Sequence, residues 1–413
     1  MPVSIHIPRR FVQQSWGGTE TVVLESVKQL NALGHPARVY TSCALAPDPL
    51  AHSEQLDGVE VARFPHFYPY FGLSTQQRTS LDQSGGNLFS WSLMRALAGQ
   101  KGTQLFHLHT AKRLGGIART VAKLKRIPYV LSLHGGWLCR PESEARRQQA
   151  RTQGCPEWGK ALGWLVGSRR VVQQASTVIC LTRAEKVALQ SLDPKLRCRV
   201  LPNGVDLERF REGRVEPFRR QNRIPTQSKL IAVVGRVDPQ KGQLQAVRAF
   251  GRLEDPEAHL LLVGPSTDHQ YEAELQHEIR SSPSRGRITR LPGLSGQDLV
   301  DAYHSCDLLL IPSLHEPFGL VALEGWACGK AILASRVGGL GELITDGHDG
   351  LLVSPGLECE LAAGMARLLQ DAGLRQALAC QGRRSVAGYS WAEHTRKLLE
   401  IYQEAIDEYP FRQ

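Results

Sequence analysis

Strand-sized apolar runs alternate with stretches of helical period along this 413-residue chain, and that alternation restricts the fold more than any other feature. Val3 to Ile7 is followed by an amphipathic segment from Glu20 to Leu33 and then by Ala37 to Thr41. The same rhythm returns at Leu105 to His109, Tyr129 to His134 and Val178 to Leu181. Repeated β-then-α order calls for a parallel sheet with helices on both faces, because parallel neighbours need a crossover long enough to hold a helix. A second series starts at Leu230 to Gly235 and runs through His259 to Gly264, Arg287 to Leu291, Asp307 to Pro312 and Ala331 to Ser335. Between the two lie Pro202-Asn203-Gly204-Val205-Asp206 and the charged, strandless stretch from Glu208 to Gln227, which reads as a linker. The length suits two domains of ~100 to 200 residues each. The expected architecture is therefore α/β, with two Rossmann-like, doubly wound parallel-sheet domains at 1–205 and 206–390. The last helical run, from Trp391 to Glu408 within 391–413, is amphipathic and by pattern alone can pack on either.

Hydrophobic residues make up 42% and charged residues 22%, which excludes disordered and collagen-like chains. The longest apolar runs, such as Leu230 to Val234 and Leu308 to Ile311, fall far short of the ~18 residues that span a bilayer. The N-terminal segment has neither a charged n-region nor a long apolar h-region, so no secretory signal is expected. Nine cysteines without a C-x-x-C pair fit a reducing, cytoplasmic compartment.

The net charge of +10 is unevenly spread: residues 1–205 hold 26 Lys and Arg against 12 Asp and Glu, and residues 206–413 hold 24 against 28. The first half therefore attracts phosphates or an anionic membrane. Nucleic acid is excluded as a partner, since no helix-turn-helix, RRM or zinc-finger pattern occurs. Lys112, Arg113, Arg119, Lys123, Lys125 and Arg126 form the densest basic run, and Leu114, Ile117, Val121 and Leu124 give it helical period. This helix either lays a basic face on the inner face of the cell membrane, at about 1 kcal/mol per cation, or is a crossover helix with a solvated outer face.

Ligands of open α/β sheets bind beyond the carboxyl ends of the strands, so two such sheets are expected to face each other across a cleft. The strongest local signal is the run from Pro312 through Glu316, Pro317, Phe318, Gly319 and Leu320 to Glu324. A strand ends at Pro312, and the spacing predicts a helix with Pro317 in its first turn and the amides of Phe318 to Val321 open to an anion. Glu316 before the helix and Glu324 within it can hold different parts of one long ligand; otherwise Glu316 caps the helix and Glu324 pairs on the surface. Gly235-Arg236-Val237-Asp238-Pro239-Gln240-Lys241-Gly242 follows the first strand of the second half, where Arg236 and Lys241 can grip a diphosphate. It lacks Walker A spacing. Gly17 and Gly18 open a helix after the first strand, and His134 ends a strand before Gly135-Gly136-Trp137. His107 and His109 share a strand face without a carboxylate at ligand spacing, and no D-x-D motif supplies a divalent ion, so no metal is expected.

Glu316 and Glu324 in E-P-F-G-L-V-x-L-E, Gly235-Arg236 with Lys241-Gly242, the Pro202–Asp206 segment, Gly17-Gly18-Thr19-Glu20 and His134 together resemble the retaining glycosyltransferases of family 4, with the GT-B fold. The resemblance spans nearly the whole chain. It implies that Glu316 holds donor-sugar hydroxyls, Glu324 the nucleotide ribose, and Arg236 and Lys241 the leaving diphosphate. It places the amides of Phe318 to Leu320 on the distal phosphate and sugar with the Gly17-Gly18 backbone beside them, His134 against the donor sugar, and the base on backbone near Leu294. The last helix would cross back to the first domain. The implied activity is a metal-independent, cofactor-free hexosyl transfer, with a UDP-sugar the expected donor and front-face attack as the route to retention. The aromatic run from Phe64 to Gly72 and Trp137, Trp158 and Trp164 suit a saccharide or lipid-linked acceptor in cell-surface polysaccharide or glycolipid assembly, and suit a core equally well. Alternatives are a sugar-nucleotide epimerase, a phosphorylase, for which no pyridoxal phosphate lysine is identifiable, and a non-catalytic nucleotide-binding membrane adaptor.

Overall fold

A computed structural model of the chain describes residues 3–13, 16–135 and 152–409. The chain divides into two compact units, Met1–Pro202 with Trp391–Gln413, and Asn203–Ser390. Unit 1 contains eight strands: β1 (Ser4–Ile7), β2 (Ala37–Ser42), β3 (His52–Leu56), β4 (Val59–Phe64), β5 (Leu105–Leu108), β6 (Tyr129–Ser132), β7 (Thr177–Cys180) and β8 (Cys198–Val200). They form one sheet in the order β3-β4-β2-β1-β5-β6-β7-β8. All neighbours are parallel except β3 and β4, which form an antiparallel hairpin at the edge. Its turn is Asp57-Gly58, both at positive φ (48° and 81°), the backbone that matches the twist of a two-residue hairpin.

One face of this sheet is covered by the helix Arg113–Lys125, whose Leu114, Ile117, Ala118 and Val121 enter a core with Phe106, Leu108 and Leu131. The other face is covered by the helices Gly18–Ala32 and Trp391–Glu408: Val23, Val27, Leu398, Ile401 and Tyr402 pack with Val39, Leu105 and Val130. The late helical run thus belongs to the core of unit 1, separated in sequence from the rest of it by all of unit 2.

Unit 2 holds β9 (Lys229–Val234), β10 (Ala258–Val263), β11 (Ile288–Leu291), β12 (Leu308–Ile311), β13 (Ala331–Ser335) and β14 (Leu351–Val353) in an all-parallel sheet ordered β11-β10-β9-β12-β13-β14. The strand order reverses between β9 and β12, and their loops emerge side by side from the carboxyl edge. Such a switch point is where this kind of sheet holds ligands. The stretch from Glu208 to Gln227 is not a free linker, which corrects the expectation from its charge. It forms the helix Val215–Gln221 and buries Phe210, Phe218 and Arg219. The Arg219 guanidinium donates to the carbonyls of Ser305, Thr226 and Ser228 and to the Asp307 carboxylate at 3.3 Å, so its charge is met inside the protein.

Candidate functional site

Two loops of unit 2 are locked together at the switch point. Leaving β9, the chain turns at Gly235 (φ 151°), passes Arg236, and reaches Lys241 and Gly242 (φ 69°). A Cβ on Gly242 would lie 2.1 Å from the Pro312 carbonyl oxygen, so only glycine lets the two loops touch. Leu314 N–H then donates to Gln240 O at 2.7 Å. This crossing brings Lys241 from one loop to Glu316 of the other, and Nζ donates to Glu316 Oε2 at 2.5 Å. Ser313 Oγ donates to the same oxygen at 3.4 Å. Glu316 is only 7% exposed, so this pair is an interior ion pair whose members fix one another. Arg236 is exposed, with no ion-pair partner among the described residues.

The helix after Glu316 starts later than its sequence suggests. It spans Leu320–Ala327 with Gly319 as N-cap (φ 108°, ψ 51°), so Pro317 precedes the cap and is not in the first turn. The cause is a second glycine pair: Gly339 N–H donates to Glu316 O at 2.9 Å, and a Cβ on Gly339 would lie 2.4 Å from the Phe318 Cα. The turn after β13 packs against 316–318 in this way, and Phe318 is buried as an anchor. No side chain caps the helix, and Ala322 N–H donates to Gly319 O at 2.9 Å, so the amides of Gly319, Leu320 and Val321 lack an intrahelical acceptor. Leu294 sits half-buried on the loop after β11, at the same carboxyl edge.

Glu324 does not pair on the surface. Its Oε2 accepts from the Tyr303 hydroxyl at 2.5 Å. Burial pushes the Glu324 carboxyl up from its ordinary value, against the Tyr303 bond and the positive charges of Arg209 and Lys241. Tyr303 is itself buried, and its ring meets Phe210 edge-on at 5.8 Å with Arg209 over the far ring at 5.3 Å. Tyr303, Arg209 and the Gly338-Gly339 pair were not singled out from the sequence. The glycine pair had a readable signal, since it follows a strand as Gly17-Gly18 does; the other two had none.

In unit 1, Gly17 is the extended N-cap of the helix Gly18–Ala32, again without a side-chain cap. Glu20 in its first turn is buried and bonded to Arg10 at 3.2 Å. His134 lies two residues beyond β6, and its Nε2 meets His109 Nδ1 at 2.8 Å. His107 and His109 do share a face, joined by His6, which pairs with His107 in register across β1 and β5. These three could offer ligand atoms within 4.8 Å of one another, but their ring nitrogens are engaged with each other, Tyr402, Ser132 and His134. Gly136 and Trp137 lie outside the described residues.

The basic-face reading of the helix at 113–125 is corrected. Arg113 (2% exposed) and Arg119 (8%) point inward, Arg113 onto Glu157 and the Asn87 carbonyl and Arg119 onto Gln174. Only Lys112, Lys123 and Arg126 of the six are exposed, and Lys125 donates to the carbonyls of Ala98 and Gln100. Two of its strongest cations are thus spent inside unit 1 and unavailable to a leaflet. No helix among the described residues is long and apolar enough to cross a membrane. The aromatic segment divides: Phe64 is core, Tyr68 bonds Asp82 and Arg9, while Trp158 stacks on Phe67 and leaves Phe71 and Trp164 exposed.

Comparison with known proteins matches residues 16–209 to the profile of Glycosyltransferase Family 4 and residues 215–385 to that of Glycosyl transferases group 1. A D-inositol 3-phosphate glycosyltransferase of Salinispora arenicola is 30% identical over 414 residues, covering 95% of this chain and 88% of that protein. Among solved structures, the sucrose-phosphate synthase of Thermosynechococcus elongatus superposes with a TM-score of 0.74 at 22% identity, over 98% of this chain and 99% of the other. Anabaena HepE in complex with UDP and glucose does so with a TM-score of 0.73 at 19% identity, over 98% of this chain and 100% of the other.

Proposed function

Because this chain belongs to glycosyltransferase family 4 and has its GT-B fold, we propose that it is a retaining, metal-independent hexosyltransferase that uses a UDP-sugar donor. The observation that carries this reading is the Lys241–Glu316 pair, set at the switch point before the uncapped helix at Leu320. An ammonium has three donors. Lys241 gives one to Glu316 and keeps two for a diphosphate, while Arg236 is free to supply a second cation. Glu316, held by Lys241, presents its other oxygen to sugar hydroxyls. Glu324, oriented by Tyr303, accepts from the ribose. The amides of Leu320 and Val321 meet the distal phosphate. To unit 1 the family pattern assigns donor contact at His134 and at the Gly17-Gly18 backbone.

In the reaction the bond from the anomeric carbon to the β-phosphate oxygen breaks and the acceptor oxygen bonds to that carbon on the same face. The acceptor's proton passes to the departing phosphate. Charge develops on the diphosphate, where fixed cations and amides are already aimed, so the protein supplies what a divalent ion would otherwise supply. The acceptor that fits best is a phosphate-bearing polyol or saccharide. The name of the Salinispora relative points that way, and so does the excess of positive charge in the first half of the chain.

A matrix of nucleotide sugars against inositol 3-phosphate, other sugar phosphates and lipid-linked saccharides tests this by nucleoside diphosphate release and product mass. Release that requires an acceptor, with a product heavier by one sugar, is expected. Conversion of the nucleotide sugar without acceptor would make the protein an epimerase, and binding without conversion an adaptor. A second expectation concerns the ribose: Tyr303→Phe removes one bond to a charged acceptor, worth about 1.5 kcal/mol, and weakens UDP binding about tenfold in calorimetry. Unchanged affinity would remove Glu324 from the ribose.

A further inference from the structure

Five hydrogen bonds join six side chains of unit 1 in a line. Ser132 Oγ meets His107 Nε2 at 2.7 Å, and His107 Nδ1 meets Tyr402 OH at 2.6 Å. Tyr402 OH also meets His6 Nε2 at 3.1 Å. His6 Nδ1 then meets His109 Nε2 at 3.1 Å, and His109 Nδ1 meets His134 Nε2 at 2.8 Å. The last two links join rings edge to edge: their centroids are 5.3 and 5.1 Å apart with planes inclined by 21° and 25°. Burial, and then the neighbouring imidazoles, hold His107 and His109 well below the ordinary histidine range. His6 is pushed down to about 3 and His134 to about 4, chiefly by burial, so every ring is neutral at pH 7.

A neutral imidazole has one N–H and one bare nitrogen. Both nitrogens of His107, His6 and His109 are engaged, so each ring that accepts at one edge must donate at the other. The Tyr402 hydroxyl, which the Ser4 side chain also meets, has a single proton and gives it to one histidine at most. The line therefore has a polarity, and fixing one proton fixes all. Hydroxyl donors make shorter bonds than N–H donors. The 2.6 Å contact is accordingly Tyr402 O–H donating to His107 Nδ1, and the 3.1 Å contact is His6 Nε2–H donating to Tyr402 O. His109 Nε2–H then donates to His6 Nδ1, and His134 Nε2–H to His109 Nδ1. His134 Nδ1 is left bare.

We propose that Tyr402 is a positioning residue that holds His134 in the Nε2–H tautomer through His6 and His109, so that His134 Nδ1 accepts a hydrogen bond from a hydroxyl of the donor sugar. The last clause rests on the donor contact assigned to His134 above; the tautomer does not. His134 thereby selects donors with a hydroxyl at that place and rejects the corresponding deoxy sugar. A divalent metal on His6, His107 and His109 is the competing occupant. It would need the bare nitrogens that the line uses, and no carboxylate lies among the three to balance its charge.

Imidazole nitrogen spectra of the full-length protein labelled with 15N-histidine test the tautomer without reference to turnover. In the wild type His134 is expected as Nε2–H alone. Tyr402→Phe keeps the ring that packs in the core and deletes the hydroxyl, and is expected to give both tautomers of His134. A wild-type His134 with its proton on Nδ1, an unchanged His134 signal in folded Tyr402→Phe, or stoichiometric zinc with metal-shifted ring nitrogens would each overturn the proposal. Kinetics test the sugar contact separately: the preference for the intact donor over its deoxy analogue drops roughly tenfold in Tyr402→Phe, with kcat on the intact donor falling less. Should the spectra behave as expected while no nucleotide sugar is turned over, the functional reading fails and the tautomer assignment stands.

Discussion

Lys241→Ala and Arg236→Ala each lower kcat/KM by ~10²- to 10³-fold, the usual cost of losing one preorganised group that meets developing charge. The two variants differ in stability. Arg236 is exposed, so its loss leaves the fold unchanged. Lys241→Ala strands the buried Glu316 carboxylate without its partner and costs about 1 to 3 kcal/mol. The double variant Lys241→Ala with Glu316→Gln removes that stranded charge and recovers most of the stability in urea melts, while turnover stays collapsed. Recovery of turnover along with stability would mean that Lys241 only supports the loop crossing, and the diphosphate site would have to lie elsewhere.

Acidification from pH 7 to pH 5 lowers the melting temperature sharply, with the histidines of unit 1 as the cause. Burial holds His6 down to about 3 and His134 and His394 down to about 4, and depresses His107 and His109 as well. Burial keeps His394 neutral against its bond to the Pro202 carbonyl, which favours the charged ring. In the unfolded chain these groups titrate near 6.5. Between that value and the folded value the unfolded state binds more protons, so stability rises with pH through this window and is lost as pH falls through it. Each histidine contributes about 1.4 kcal/mol per pH unit, or about 2 kcal/mol by pH 5. Two or three of them already match a large part of a typical domain stability of about 5 to 15 kcal/mol. Calorimetry at the two pH values checks this; a melting temperature that stays level would mean these rings are already charged or hydrated in the folded protein.

The sheets were legible because a strand buried on both faces writes itself as a continuous apolar run. Leu230–Val234 and Leu308–Ile311 are such runs, and they fall on β9 and β12. The strands outside that pattern are β3, β4, β8 and β14: even the mostly buried β4, VEVARF, has its apolar run broken by Glu60 and Arg63. β3 is a largely exposed edge strand, HSEQL, with no apolar alternation, although the Asp57-Gly58 pair beside it is a hairpin signal in its own right. β14 is three residues long. At the candidate site, the residues that announce themselves are those on local motifs, such as Lys241 and Glu316. Tyr303 acts through Glu324, 21 positions away on another helix, and Tyr402 meets His107 across 295 positions, distances over which no spacing rule operates. Of the two readings of the helix at 113–125, the basic face fails for a related reason. Helical period tells which residues share a face, but the inward course of Arg113 and Arg119 depends on Asn87, Glu157 and Gln174 waiting opposite.

Unit 1 interleaves residues from the two flanks of unit 2, and this sets an order of events during synthesis. Unit 2 is contiguous and can condense as soon as Ser390 clears the ribosome exit tunnel. Unit 1 cannot: Leu398, Ile401 and Tyr402 fill its interior, and the apolar faces of Val23, Val27 and Val130 stay uncovered until those residues arrive. The half translated first is thus the half completed last, and until then its uncovered apolar face is open to aggregation.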